Sequence, residues 1–321
     1  MKRNNLQLPW LNAIRFCRLR LFYRGITSGQ VAWFLGPEVR GSIGHQLKSY
    51  MGCSIDLNED CAECPQERKR DCIYAQFFVN GGNSSKGIVL KLDPAFRGMK
   101  SDFVKGETLQ LDVNLLGIHI QSAWHFLSAL RQYPLRLGSH GLSFELAESG
   151  FVNEKGEFMP LQGVDTIPSM GLFPSVNSLA NPCRIELTLQ TPTEITLSHR
   201  KYIYDPEKLT FKLLVLRMLE RSENIARDLC NWPDKGEGRK GPLAQALIDQ
   251  AQEITLVDHH AHWRGVKFRN NQGRGMGGLV GTFIYDGNLA PYIELLESAV
   301  YLGLGKGATA GFGQVSFHIN H

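Results

Sequence analysis

Hydrophobic and polar residues alternate in short segments, and stretches of helical periodicity separate these segments. Alternation is typical of half-buried strands, whereas apolar residues three or four positions apart indicate an amphipathic helix. The first half of the chain predicts strands over 13–23, 88–92, 109–115 and 142–146, and helices over 41–51 and 120–130. The second half predicts strands over 185–189, 254–268, 279–285 and 315–319, and helices over 211–225, over 243–252 and from Pro291.

Both halves of the chain therefore have the order β-α-β-β-α-β, which is the ferredoxin-like motif. We predict an α+β protein with tandem ferredoxin-like (RRM-like) domains over 1–150 and 183–321. The first domain carries a cysteine-rich insert over 53–72, and the second ends in a glycine-rich loop. Residues 151–182 are rich in glycine, proline and polar side chains and are interpreted as a linker. One large α+β domain is the alternative.

The composition is that of an ordinary globular protein. A length of 321 residues suggests about two domains. No apolar run reaches the roughly 18 residues that a membrane span requires, and no signal peptide is evident, so we expect a cytoplasmic protein without membrane contact. The net charge of +4 and the pI near 8.6 lean only mildly toward polyanionic partners.

Four cysteines form a cluster with the spacing C-x7-C-x2-C-x7-C: Cys53, Cys61, Cys64 and Cys72. Four thiolates so close in sequence suit a tetrahedral structural zinc, in which no coordination position is left open for catalysis. We therefore expect zinc to stabilise the insert and expect no cofactor in catalysis. An iron–sulfur cluster and unligated thiols are the alternatives.

A glycine-rich segment, residues 303–315, joins the last predicted helix to the last strand. Glycine can adopt positive φ angles and lets another backbone approach closely. The segment is not a phosphate-binding Walker loop, because Lys306 is followed by glycine and the segment leads into a strand. A purely structural chain reversal is the alternative to a binding role.

Several motifs, in order along the chain, resemble a known family. They are Arg40-Gly41-Ser42-Ile43-Gly44, the strand over 183–195, the basic segment 263–269 followed by the glycines of 275–281, and the tail that ends Gly311-Phe312-Gly313. Together they resemble the RAMP superfamily of CRISPR proteins, and within it the pre-CRISPR-RNA endoribonuclease family. The resemblance implies an enzyme that binds CRISPR repeat RNA and cleaves it.

Cleavage of this kind needs no metal. A base removes the proton of the RNA 2′-hydroxyl, the oxygen attacks the adjacent phosphorus, and the products carry a 2′,3′-cyclic phosphate and a 5′-hydroxyl. Histidine suits the base because its pKa is close to working pH. The resemblance implies His45, interpreted as lying in the first turn of the first helix, with Lys48 on the same face and Tyr23 orienting either group. A capping or surface histidine is the alternative for His45, and His260 and His262 are the rival pair.

Contacts to RNA are expected from the resemblance and from the charged residues that lie in or beside the glycine-rich segments. The predicted set is Arg40, His260, His262, Arg264, Lys267, Arg269, Arg274, Gly305, Lys306, Gly307, Gly311 and Gly313. Other subunits of a CRISPR effector complex are further expected partners. A non-catalytic RAMP subunit that holds the end of the guide RNA is the runner-up function, and a zinc-stabilised interaction protein without RNA is the third.

Overall fold

A computed structural model of the chain describes residues 8–53, 61, 64, 72–79, 85–92, 102–138, 141–161, 166–172, 183–197, 202–233, 238–266 and 276–320. The chain divides into two compact units. The N-terminal unit comprises residues 15–170 and 309–311, and the C-terminal unit comprises residues 1–14, 171–308 and 312–321. None of the helices in the described ranges combines the length and apolar character needed to cross a membrane.

The N-terminal unit alternates strands and helices in the predicted order. Its strands are β1 (Arg15–Gly25), β2 (Gly29–Gln30), β3 (Ile88–Leu92), β4 (Asp102–Phe103), β5 (Thr108–Leu116), β6 (Leu135–Leu137), β7 (Leu142–Val152), β8 (Phe158–Pro160) and β9 (Met170–Gly171). Its helices are α1 (Gly36–Tyr50), α2 (Ile73–Phe78) and α3 (Ala123–Gln132). The main sheet has the order β3-β5-β1-β7, with all neighbours antiparallel.

The two faces of this sheet differ in character. On β1, Leu19, Leu21 and Tyr23 point into the core and are fully buried. On the other face, Arg18 and Arg20 of β1 both bind the carboxylate of Asp112 on β5, and Arg20 Nε lies 2.8 Å from Asp112 Oδ1. The arginines that interrupt the apolar pattern of this strand therefore hold β1 and β5 together through a partly buried ion pair.

The C-terminal unit repeats the same arrangement. Its strands are β10 (Arg184–Thr193), β11 (Thr255–Val266), β12 (Met276–Asp286) and β13 (Val315–Asn320), and its helices are α4 (Phe211–Leu229), α5 (Pro242–Gln250) and α6 (Ile293–Leu302). In this sheet the strands lie in the order β11-β12-β10-β13. This order corresponds strand for strand to β3-β5-β1-β7 of the N-terminal unit. The segment before β1 also belongs to this unit, since Trp10 Nε1 donates a hydrogen bond to Ser222 Oγ of α4 at 3.0 Å.

The prediction of tandem ferredoxin-like domains is confirmed, and three local expectations need correction. Helix α1 begins at Gly36, not near residue 41, so His45 lies in the middle of the helix and not in its first turn. The interval 151–182, interpreted as a linker, contains β8, which pairs with β7. The glycines of 276–281 lie within β12 opposite β11, so they do not form a turn.

Candidate nucleic-acid interface and cleavage site

The first candidate site is the part of α1 that faces α2. Arg40, Gly44 and Lys48 are four residues apart and therefore lie in one row along the helix. The guanidinium carbon of Arg40 lies 4.9 Å from the centroid of the Phe78 ring, and Lys48 Nζ lies 4.8 Å from that of Tyr74. A Cβ on Gly44 would approach the Tyr74 ring to 3.2 Å. Two aromatic rings of α2 thus hold two cations of α1 in fixed positions.

His45 lies beside this row and is exposed to solvent. Partial burial lowers the pKa of the His45 imidazole, and the positive charge of Lys48 lowers this pKa further. Among the residues that the structure describes, neither imidazole nitrogen has a hydrogen-bond partner. At neutral pH the side chain is therefore an uncharged imidazole, which can accept a proton from a substrate.

Lys86 is a third cation of this region and was not predicted from the sequence. Burial lowers the pKa of its ammonium group, and the charge of Arg40 contributes in the same direction, which shows that the two cations are close. The aromatic residues of Ile73–Phe78 are the only local sequence signal for the helix that contacts these cations. The N-terminal unit therefore places Lys48 beside a neutral histidine and brings Arg40 and Lys86 close to each other, and such positive charge suits a phosphodiester.

Tyr23 is fully buried and cannot touch a bound substrate. Burial raises the pKa of its hydroxyl well above the ordinary value, although Gln46 opposes this shift. The Tyr23 hydroxyl lies near Gln46, yet within the described part of the chain it forms no hydrogen bond of good geometry. Gln46 in turn donates to the carbonyl of Tyr133 at 2.6 Å. Any influence of Tyr23 on His45 is thus indirect, through its neighbour Gln46.

The second candidate site is strand β11. His260 and His262 are both exposed, whereas His259 lies on the opposite face of the strand with its ring 5.9 Å from the ring of Phe283. Arg264 follows on the same face as His260 and His262. The predicted contacts Lys267, Arg269 and Arg274 lie outside the described residues. The described part of β11 therefore presents two histidines and one arginine along one edge strand.

The glycine-rich loop after α6 adopts the predicted positive φ angles. These are +73° at Gly305, +80° at Gly307, +73° at Gly311 and +69° at Gly313. A Cβ on Gly305 would lie 2.3 Å from the Glu194 carbonyl oxygen, and one on Gly313 would lie 1.9 Å from that of Leu304. The fold alone accounts for these glycines, and their role in RNA binding stays a prediction.

The four clustered cysteines lie among the described residues, although most of the insert around them does not. Among the described residues, no group of three or more histidine, cysteine or acidic side chains is close enough to hold a metal ion. The central pair forms a turn in which the Cys64 N–H donates to the Cys61 carbonyl at 3.4 Å, while Cys72 is buried ahead of α2. The described residues therefore do not support the predicted zinc.

Comparison with known proteins agrees with this architecture. Residues 187–315 match the family model of the CRISPR-associated endoribonuclease Cas6, and residues 14–169 match a family of N-terminal domains. No curated protein sequence gives a significant match.

Three solved structures of similar fold are distant in sequence. A Cas6 product complex has a TM-score of 0.58 at 15% identity, covering 94% of this chain and 100% of its own. Cas6 of Thermus thermophilus has a TM-score of 0.55 at 14% identity, covering 95% and 99%. A partial Cas6-RT-Cas1–Cas2 complex has a TM-score of 0.61 at 16% identity, where the match covers 96% of this chain but only 46% of the larger one. At such identities these likenesses show the fold.

The fold defines a protein of two ferredoxin-like units. The match of residues 187–315 to the model of the CRISPR-associated endoribonuclease Cas6 agrees with the family resemblance that the motifs indicated.

Proposed function

We propose that the protein binds CRISPR repeat RNA and cleaves it without a metal ion, by attack of the 2′-hydroxyl on the adjacent phosphorus. The observation that carries this proposal is the neutral, exposed His45 beside the cations Lys48 and Arg40 on α1. A base and positive charge on one helix are the two components that this reaction requires from a protein.

In the proposed reaction, His45 accepts the proton of the 2′-hydroxyl as its oxygen bonds to phosphorus. The bond from phosphorus to the 5′-oxygen breaks, and that oxygen takes up a proton from water. The products are a 2′,3′-cyclic phosphate and a 5′-hydroxyl. Lys48 stabilises the negative charge that develops on the nonbridging oxygens, because its ammonium group is held near His45 by the Tyr74 ring.

The strand β11 and the loop around Lys306 are proposed to bind the RNA outside the cleavage site. His260, His262 and Arg264 are placed to contact phosphates or base edges, and the exposed Lys306 adds positive charge. One structural relative is a Cas6 product complex, and another is part of a Cas6-RT-Cas1–Cas2 complex. By analogy we propose that this cytoplasmic protein retains its product RNA and assembles with other CRISPR proteins.

The deciding experiment incubates the purified protein with CRISPR repeat RNA in excess chelator. We expect cleavage that stops when the 2′-hydroxyl at the cut position is replaced by hydrogen, and a 2′,3′-cyclic phosphate on the upstream product by mass spectrometry. Tight binding with intact RNA would instead favour the non-catalytic RAMP subunit. Cleavage that chelator abolishes would overturn the metal-independent mechanism.

The assignment of the base is tested separately. We expect His45→Ala to lose cleavage while RNA affinity is retained. If that variant cleaves normally, His260→Ala and His262→Ala test the rival pair on β11. Binding that does not weaken as salt rises would contradict phosphate contacts altogether and favour an interaction protein without RNA.

A further inference from the structure

Three aromatic side chains form a surface cluster in the C-terminal unit that the cleavage mechanism does not use. The ring centroids of Tyr204 and Trp263 lie 4.4 Å apart, and those of Tyr202 and Tyr204 lie 6.4 Å apart. Tyr204 is 59% exposed although it is a large aromatic residue. We call Tyr202, Tyr204 and Trp263 the aromatic platform.

The platform is built on rigid backbone. The Ile203 N–H donates to the Ile195 carbonyl at 3.0 Å, and Tyr202 forms a β-bridge with Thr196. Arg217 of α4 anchors the same segment through the carbonyls of Thr196 and Leu197, at 3.0 and 2.9 Å. The tyrosines are therefore held in place before any ligand binds, which lowers the conformational entropy lost on binding.

Trp263 is held in place from the other side. It pairs with Leu279 in the ladder between β11 and β12, and its ring lies over Gly277, where a Cβ would approach it to 2.9 Å. The absence of a side chain at Gly277 thus makes room for the indole. Tyr204 packs against this indole and keeps most of its own ring in solvent.

Lys306 supplies an exposed positive charge beside the platform, and the negative charge of Asp205, which is 44% exposed, is paired with Lys208. Lys306 Nζ lies 5.4 Å from the centroid of the Tyr202 ring, and the lysine side chain is 58% exposed. Its partner Glu194, 3.8 Å away, is only 13% exposed. The Asp205 carboxylate next to Tyr204 accepts the Glu207 N–H and pairs with Lys208 Nζ at 3.4 Å. A ligand on the platform therefore meets rings and a cation.

We infer that the aromatic platform stacks unpaired nucleobases of the bound RNA, with Lys306 contacting the phosphate between them. Exposed rings beside a cation are the combination that binds single-stranded nucleic acid, because every base offers a stacking face. A single-stranded segment fits better than a duplex, whose bases are already stacked on each other. This inference rests on the proposed function and adds to it the part of the substrate that the C-terminal unit recognises.

The test is a coupling experiment on a CRISPR repeat RNA that contains a hairpin. Unpaired nucleotides beside the hairpin are replaced one at a time by abasic riboses, which keep the phosphate and remove the base. Affinities for each RNA are measured by fluorescence anisotropy with the wild-type protein, Tyr204→Ala, Tyr204→Phe and Trp124→Ala. Trp124 is an exposed aromatic residue on α3, outside the platform, and serves as the matched control.

We expect Tyr204→Ala to weaken binding about 5- to 100-fold and Tyr204→Phe and Trp124→Ala to change it little. We further expect one or two abasic positions to weaken binding to the wild-type protein but not to Tyr204→Ala. Because Tyr204 is largely exposed, its replacement should leave the melting temperature nearly unchanged.

The possible failures can be told apart. If the wild-type protein binds no RNA, the proposed function and this inference fail together. If the protein binds and cleaves repeat RNA but the abasic series affects the wild type and Tyr204→Ala equally, only the platform inference is overturned. That second outcome would leave a protein partner as the occupant to seek for these rings.

Discussion

The ammonium nitrogen of Lys48 lies 4.8 Å from the centroid of the Tyr74 ring. This contact joins the helix that carries His45 to a short helix that follows the cysteine-rich insert. A free lysine side chain samples many rotamers, whereas one held over a ring keeps its charge in one place. The charge of Lys48 contributes to the lowered pKa of His45, so the ring of Tyr74 influences the base without touching it.

Replacing Tyr74 should therefore affect cleavage through Lys48. We expect Tyr74→Leu to lower the single-turnover cleavage rate several-fold, since a cation–π contact contributes about 0.5–2 kcal/mol, and Tyr74→Phe to retain most of the rate. The readout that separates this role from a merely structural one is the pH profile, whose acidic limb should shift in Tyr74→Leu only. If both variants lost cleavage rate equally and neither shifted the acidic limb of the pH profile, the Tyr74 ring would stabilise the fold without influencing the base.

The cleavage rate should depend on pH through His45. Because burial and Lys48 lower its pKa, the neutral base form predominates at pH 7, and the rate should fall only as the pH drops through this lowered pKa. Lys48→Met removes a positive charge that lowers the pKa of His45. In this variant the cleavage rate should therefore begin to fall at a higher pH. His45→Ala should lower the rate by about 10²–10⁴-fold and remove this dependence.

The matched control is His125→Ala, an exposed histidine on α3 whose Nδ1 lies 3.4 Å from the Tyr50 hydroxyl. It should cleave at the wild-type rate with an unchanged profile. If instead the cleavage rate of His45→Ala still falls at acidic pH as in the wild type, another group is the base.

The sequence predicted the elements of both units well because each strand and helix buries one face, and burial imposes the period on the sequence. The predicted start of α1, at residue 41, is five residues later than the observed start at Gly36. Pro37 marks the true start, since proline is tolerated in the first helical turn, but the residues around it lack a clear helical period. Side-chain pairs across elements, such as Arg40 over Phe78 or Tyr204 against Trp263, leave no local signal. Such contacts follow from the tertiary arrangement and require a structure.

The ion pair between the arginines of β1 and Asp112 should make stability depend on acid pH. Burial raises the pKa of Asp112, but the hydrogen bonds and charges of Arg20 and Arg18 outweigh this effect and lower the pKa overall. A carboxyl whose pKa is lower in the folded state stabilises the fold above its unfolded pKa of about 3.9. That stabilisation is lost as the pH falls through the lowered folded value.

We expect Asp112→Asn to reduce the free energy of unfolding by about 3–5 kcal/mol at pH 7, because two arginines lose a buried partner. The difference between variant and wild type should shrink below pH 4. Urea denaturation at several pH values measures both. Glu145→Gln, an exposed carboxylate on β7, should change stability by no more than about 0.5 kcal/mol, and a similar loss in both variants would contradict the buried pair.

Two constraints can require glycine in the glycine-rich loop: a positive φ angle and the close approach of a backbone carbonyl. Substitutions by alanine distinguish them. Gly313 has a φ of +69°, and a Cβ there would lie 1.9 Å from the Leu304 carbonyl oxygen. Gly156 has a φ of +82°, but nothing lies within 4 Å of the position of its Cβ. Alanine at Gly156 should therefore incur only the backbone strain, about 1–2 kcal/mol. Alanine at Gly313 must also displace a backbone carbonyl.

We thus expect Gly313→Ala to lower the free energy of unfolding by at least about 3 kcal/mol, clearly more than Gly156→Ala, as measured by urea denaturation. Equal losses would show that the chain beside Gly313 can move aside, and the close approach would then not explain this glycine. If Gly313→Ala folds well but binds repeat RNA weakly, the glycine serves the ligand directly. The expected outcome is the reverse: any loss of RNA affinity should follow the loss of folded protein, because the loop is shaped by its own backbone contacts before RNA binds.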